Sequence, residues 1–255
     1  MAMLIAILTH LDARLVEKQL AYLRAIAPEA RFVICHGGKR ADFDALDEPG
    51  ALFIDDPSLR GPHFHQSLNG TLRAVYENCV RDDETIELVY VVEYDHLILR
   101  GDFERTLTDL AERTGAGLLA KWGSPRNDTN WSHYLRTRND AELDAFIAGI
   151  SRRDDPDVRF GCLGTGLLFR RDAFSAFCTL DDPPSRYFEL FVPTVVHHLG
   201  FDVVDVDAVT DLYMAIQWLP EFDAAGAAAE KRAGRTFVHP FKQIDSVDAI
   251  RAAQE

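Results

Sequence analysis

The sequence predicts a single α/β domain with a mostly parallel central sheet flanked by helices. Three observations predict it. Short, wholly apolar runs such as residues 3–8 (MLIAIL) and 88–92 (LVYVV) are of the kind buried on both faces of a parallel sheet. Amphipathic helical stripes alternate with such runs through the first hundred residues, and this β-α-β-α-β order implies right-handed crossovers between parallel strands. With 255 residues, 47% of them hydrophobic, the chain can bury a full core and is too apolar for disorder. No internal repeat and no linker divides it.

The elements follow in order. After the strand at 3–8, Asp12 is placed to cap a helix whose stripe is Leu15, Val16, Leu20, Leu23 and Ile26, and Pro28 stops it. RFVICH (31–36) is a second strand ended by Gly37-Gly38, and ALFIDD (51–56) a third ended by Pro57. A loop, SLRGPHFH (58–65), leads into a helix from about Ser67. Leu68, Leu72, Val75, Cys79 and Val80 line its apolar face, while Gln66, Asn69 and Arg73 share an adjoining polar one. LVYVV is the fourth strand. Beyond it the pattern loosens: a strand over 115–122, an amphipathic helix around 140–150, and a strand then a helix in GLLFRRDAF. A helix over 186–200 ends at Gly200, and FDVVDVD is a further strand. Residues 224–235, rich in Ala and Gly, fit either a short helix or a loop.

Composition narrows the function classes. The formal charge is −14, from 27 basic and 41 acidic residues, which argues against nucleic acid or an anionic membrane as main partner. The start, MAMLIAIL, lacks the basic region of a signal peptide, and no stretch approaches the ~18 apolar residues of a membrane helix. Cys35, Cys79, Cys162 and Cys178 show no CxxC spacing and read as buried reduced thiols, so a cytoplasmic location is expected.

The sharpest chemical signal is Glu93-Tyr94-Asp95, which ends the fourth strand. Acid-x-acid triplets recur at Asp42-Asp44, Asp102-Glu104, Asp205-Asp207 and Glu221-Asp223, but only this one closes a five-residue apolar strand within the alternating region. Ligands of open α/β sheets bind beyond the carboxyl ends of the strands. Two acids one residue apart there project to one side and can hold a divalent cation; they can also simply cap the next turn.

An apolar strand ending in E-x-D resembles the metal motif of GT-A-fold glycosyltransferases, which use nucleotide-diphosphate sugars. Three further segments resemble that family in its order along the chain. They are FGCLGTGLLFRRDAF, the acid-bearing YFELFVPTVVHHLGFDVVDVD, and FVHPFK (237–242) with its late His. The sequence departs from the pattern in two places, with Glu for the commoner first Asp and a lone Glu189 where many relatives carry adjacent acids. The resemblance implies a GT-A-like sheet, a nucleotide-binding half over 1–100, and an acceptor half over 101–255. It also implies a divalent cation (manganese or magnesium) and a nucleotide-diphosphate sugar as donor, with a hydroxyl acceptor.

Residue roles follow from that likeness and from where residues fall on strand ends and helix turns. Asp95 is the expected direct metal ligand, Glu93 a ligand through water or a ribose contact, and His239 a second ligand. Lys242 meets a phosphate as a point charge. Glu189 is the expected catalytic base; Pro193, four residues on, cannot donate to its carbonyl, which places Glu189 at or before the first helical turn, near the site edge. Thr9 and His10 end the first strand and Asp55 the third, on the ligand side, where Asp55 could pair with a base N–H. Asn69 and Arg73 could face ribose and diphosphate. The stretch 217–236 is placed to fold over the donor. Trp122, Asn130, Trp131, His133 and Tyr134 are aromatic and polar together, the composition that stacks on sugars, although aromatics also simply pack. Two alternatives stand beside an inverting transferase: a nucleotidyltransferase, which should show a Gly-rich phosphate loop after the first strand where LTHLDAR stands, and a non-catalytic sugar-binding protein.

Overall fold

Predominantly apolar β1 (Ala2–Thr9) and β4 (Ile86–Glu93) form the centre of the sheet, and most side chains on them are buried. The structure, a computed structural model, describes residues 2–56 and 67–252. The loop 58–65 and Gln66 therefore lie outside the described residues. The other strands are β2 (Arg31–His36), β3 (Leu52–Phe53), β5 (Leu97–Ile98), β6 (Leu118–Ala120), β7 (Ser124–Pro125), β8 (Phe160–Gly161), β9 (Leu167–Arg170), β10 (Val203–Asp205) and β11 (Phe237–Val238). Helices α1 (Ala13–Ile26), α2 (Arg40–Asp44), α3 (Asn69–Val75), α4 (Phe103–Thr114) and α5 (Ser132–Thr137) are followed by α6 (Ala141–Ile150), α7 (Arg171–Cys178), α8 (Phe188–His198), α9 (Ala224–Arg232) and α10 (Val247–Ala252).

The central sheet has seven strands in the order β10-β6-β9-β4-β1-β2-β3. All pairings are parallel except those of β9, which runs antiparallel between β4 and β6. The predicted mostly parallel α/β architecture is thus the observed one. Two apolar layers, one on each face, explain why the inner strands are mostly apolar.

Register sets the functional edge. Leu8 pairs with Glu93 and Thr9 with His36, so β1, β2 and β4 all end on one side. Because β9 is antiparallel, it begins where its neighbours end. The segment Gly164–Gly166 before it therefore lies on that same carboxyl edge.

Several boundaries differ from expectation for local reasons. The Asp12 carboxylate does cap α1, accepting from Leu15 N at 3.0 Å. The third strand is two residues long, because β3 is the sheet edge and pairs only with the end of β2. The helix expected from Ser67 starts at Asn69 and passes into a π-helical turn, Tyr76–Val80. The strand expected over 115–122 is only β6, since Trp122 turns the chain with a φ of 58°. Residues 224–232 are helical, with Asp223 accepting from Gly226 N at 2.7 Å. The two-residue pairs β5–β11 and β7–β8 and the short α5 were not predicted; such lengths carry no readable periodicity.

Cys35, Cys162 and Cys178 are buried free thiols, each pushed upward in pKa first by burial. No helix among the described residues is long and apolar enough to cross a membrane.

Candidate metal centre

The chain assembles the candidate centre from two distant segments. Glu93 is the last residue of β4, and Tyr94 continues the ladder by donating its N–H to Leu8 O at 2.9 Å. A tight turn, His96 N to Glu93 O at 2.9 Å, then brings Asp95 onto the same side. From far along the chain, β11 pairs antiparallel with β5, Phe237 opposite Ile98 and Val238 opposite Leu97. His239 is the next residue, and Phe241 N fixes the segment by donating to Asp95 O at 2.7 Å.

The three side chains converge. His239 Nε2 lies 3.3 Å from Asp95 Oδ1 and 3.8 Å from Glu93 Oε2, and one ligand atom from each residue falls within 4.8 Å of the others. His239 Nδ1 lies 2.7 Å from Gln217 O. A carbonyl can only accept, so Nδ1 carries a proton and the second nitrogen faces the two acids. Asp95 Oδ1 is buried, and with Nε2 unprotonated it has no hydrogen-bond partner among the described residues. In a neutral imidazole, this geometry aims a lone pair and two anionic groups at one point. A divalent cation resolves it: carboxylate oxygen and imidazole nitrogen are the donor set of manganese or magnesium-type sites, and the Gln217 contact is the outer bond that orients a ligating His. The residues fit such an ion.

Electrostatics point the same way. Glu93 is raised to about 7, first by removal from water and then by the Asp95 charge. Burial lowers His239, but Asp95 and Glu93 outweigh it and the net direction is upward. Behind the centre, Thr165 Oγ1 accepts the Glu93 N–H at 3.0 Å and meets His96 Nδ1 at 3.2 Å. His96 Nε2 lies 2.9 Å from Tyr90 Oη, and Tyr213 Oη donates to Gly166 O at 2.8 Å. Burial, and then His239, hold His96 well below its ordinary pKa, so it is the neutral link of a chain that fixes the Glu93 backbone.

Glu189 sits in the first turn of α8. Its Oε1 accepts from Gly164 N at 2.8 Å, and the Tyr187 hydroxyl also hydrogen-bonds it. Burial raises this carboxyl to about 7; the Gly164 bond opposes and the Glu93 charge adds to the rise. Pro193 withholds an N–H from Glu189 O, and Cys162 N uses that carbonyl instead at 2.9 Å. Consecutive residues Gly164 and Thr165 thus anchor Glu189 and Glu93.

A cavity of about 930 Å³ opens at the same edge, with Thr9, His10, Gly38, Lys39, Glu93 and Phe188 among its walls. His10 stands edge-on to Tyr94, with centroids 4.9 Å apart. A Cβ on Gly38 would lie 2.8 Å from His10 O, so only glycine lets the wall approach this closely. Lys242 pairs with Glu221 at 2.6 Å and feels the Asp95 charge.

Other expected contacts lie elsewhere. The Arg73 guanidinium bonds the carbonyls of Cys178 and Leu180, holding the end of α7 rather than reaching the cavity. Asn69 donates to Pro184 O at 3.3 Å. Asp55 is exposed beyond β3 and is not among the residues lining the cavity. The stretch 217–236 is partly docked: Gln217 N donates to His239 O at 3.0 Å, and Lys231 Nζ bonds Ile250 O. Thr165, His96, Gln217 and Lys39 were not singled out from sequence. The glycines flanking Thr165 were the available signal, since they permit both the close approach of Phe188 at Gly164 and a φ of 74° at Gly166.

No protein-family model and no curated protein matches the chain. Among solved structures it is similar to TarS 1–349 from S. aureus, at 10% identity and a TM-score of 0.42, covering 81% of this chain and 58% of that one. It is similar to the galactosyltransferase LgtC in complex with donor and acceptor sugar analogues, at 12% identity and a TM-score of 0.42, covering 99% and 95%. A third is the mannosyltransferase PcManGT from Pyrobaculum calidifontis in complex with GDP-Man and Mn2+, at 14% identity and 0.40, covering 80% and 54%. The chain thus spans little more than half of two of these structures. The second and third of these are glycosyltransferases by name. At such identities and TM-scores the likeness decides nothing further about this chain.

Proposed function

We propose that this protein is a metal-dependent, inverting glycosyltransferase of GT-A type, moving a sugar from a nucleotide-diphosphate donor to a hydroxyl acceptor. The observation that carries this is the convergence of Glu93, Asp95 and His239, with an orphaned buried Asp95 oxygen, beside a cavity at the carboxyl edge of the sheet. Residues 1–100 supply the nucleotide half, with Thr9 and His10 in the cavity wall, and residues 101–255 the acceptor half. Asp95 and His239 would hold the cation directly, with Glu93 completing the set or reaching a ribose hydroxyl. A divalent cation bound there would neutralise the charge that grows on the leaving diphosphate. Lys242 adds a positive charge near the same point.

Glu189 takes the proton from the acceptor hydroxyl. Its pKa near 7 suits a base working at neutral pH, and the Gly164 N–H and the Tyr187 hydroxyl hold the carboxylate in place. One carboxylate acting as base, with no second one acting as nucleophile, corresponds to inversion.

The test is release of nucleotide diphosphate from a panel of nucleotide sugars with and without manganese. The expected result is slow, metal-dependent hydrolysis of one donor that Asp95→Ala abolishes. Affinity without hydrolysis or transfer would favour a binding protein, and pyrophosphate release from a nucleoside triphosphate would favour a nucleotidyltransferase.

A further inference from the structure

We propose that Trp122 is the stacking platform for the acceptor and that the acceptor is a carbohydrate; this rests on the transfer site proposed above. The indole stands just past the carboxyl end of β6, on the edge that carries Glu93, with only β9 between β6 and β4. Neighbouring strands lie about 4.8 Å apart, so β6 ends roughly 10 Å from β4. Two hydrogen bonds tie this position to the base. Leu163 N donates to Lys121 O at 2.9 Å, and Gly164 N donates to Glu189 Oε1 at 2.8 Å. The residue before Trp122 and the proposed base therefore hang from consecutive residues of one segment.

The backbone that carries the ring is fixed. Trp122 has a φ of 58°, an uncommon conformation for a bulky side chain and one that clusters at ligand clamps. It is secured from both sides: Asp205 Oδ1 accepts its N–H at 2.8 Å, and Arg126 Nη2 donates to its carbonyl at 2.6 Å. The Lys121 ammonium lies 5.3 Å from the ring centroid, itself fixed by Asp207 and Tyr213 O. Even so, the residue is 41% exposed.

The other aromatics of this region are committed elsewhere. Trp131 lies under Arg126 and against Gly161, and His133 stacks on Tyr187 with centroids 4.0 Å apart. Trp218 is 71% exposed but lacks a comparable clamp among the described residues. The exposed indole carries the Lys121 ammonium over its ring, and Asp205 and Arg126 bond the backbone of the same residue, so an apolar surface with polar groups beside it suits a ligand with a C–H face and polar edges. A pyranose has both, whereas a purely apolar partner would bury charged neighbours without bonding them.

Indole 15N NMR reads this directly, because the chain has three tryptophans and three indole N–H signals. Each is assigned by substitution with Phe, and the protein is titrated with methyl glucosides, galactosides and mannosides in the presence of manganese and a nucleoside diphosphate. The expected result is a saturable shift of the Trp122 signal with at least one methyl pyranoside. Trp122→Leu should weaken that binding about tenfold, and Trp122→Phe should restore most of it. Absence of any shift, a shift confined to Trp131 or Trp218, or a response to octyl glucoside without one to methyl glucoside would overturn the proposal. Calorimetry of manganese and nucleotide on the same samples separates the two levels. Nucleotide binding without a sugar response removes only the Trp122 platform; a sugar response without nucleotide binding removes the transfer site and leaves a carbohydrate site.

Discussion

A buried acceptor left without a hydrogen bond costs about 1–3 kcal/mol, and more when charged. Asp95 Oδ1 is in that position with a second carboxylate beside it, so this corner is unfavourable until a cation or proton enters. The sequence made Glu93, Asp95 and His239 legible because two acids closing an apolar strand are a local pattern and the late His came with the family likeness. Arg73 was misleading because a helical face says which residues share a side but not what they meet; here they meet the carbonyls ending α7. Thr165 was silent because its role is a hydrogen bond to a backbone N–H 72 residues away in sequence. Glu189 gives a prediction at this scale. Its carboxyl is raised to about 7, and only the ionised form can accept a proton. Transfer rates should therefore rise with pH through about 7. Glu189→Gln should lower kcat by ~100-fold or more and abolish that limb while nucleotide affinity holds. Near-normal turnover in Glu189→Gln would remove it as base.

Among the elements, α8 shows how a helix defect serves a site. Pro193 lies inside the helix, where it would ordinarily cost about 3 kcal/mol. Its missing N–H leaves Glu189 O for Cys162 N, which fixes the segment that carries Gly164 and Thr165. Pro193→Ala should keep or raise Tm while lowering turnover several-fold, since a new N–H competes for that carbonyl. Unchanged turnover would show the Cys162 anchor to be dispensable. Long elements were readable because burial imposes period 2 or 3.6 over many residues, as in β1, β2 and α1. The two-residue β5 and β11 were not, although their pairing is what delivers His239.

Across the whole molecule, the −14 charge makes a site that concentrates further negative charge costly without a cation. Glu93, Glu189 and His239 all bind protons more tightly folded than their ordinary values imply. Groups raised in the folded state stabilise it below their unfolded pKa, and that contribution is lost as pH rises through the folded value. Tm of the metal-free protein should therefore fall between pH 5 and pH 8, and manganese should restore it most at pH 8. A Glu93→Gln, Glu189→Gln double variant should show a flatter slope; the same slope as wild type would place the titrating groups elsewhere. The most direct measurement is manganese binding itself, followed by loss of the free-ion signal in electron paramagnetic resonance. Wild type should bind one ion, tightened by a nucleoside diphosphate, and Asp95→Ala and His239→Ala should each weaken it by at least ~10-fold. Binding of the same strength in both variants would contradict a cation held where β4 ends.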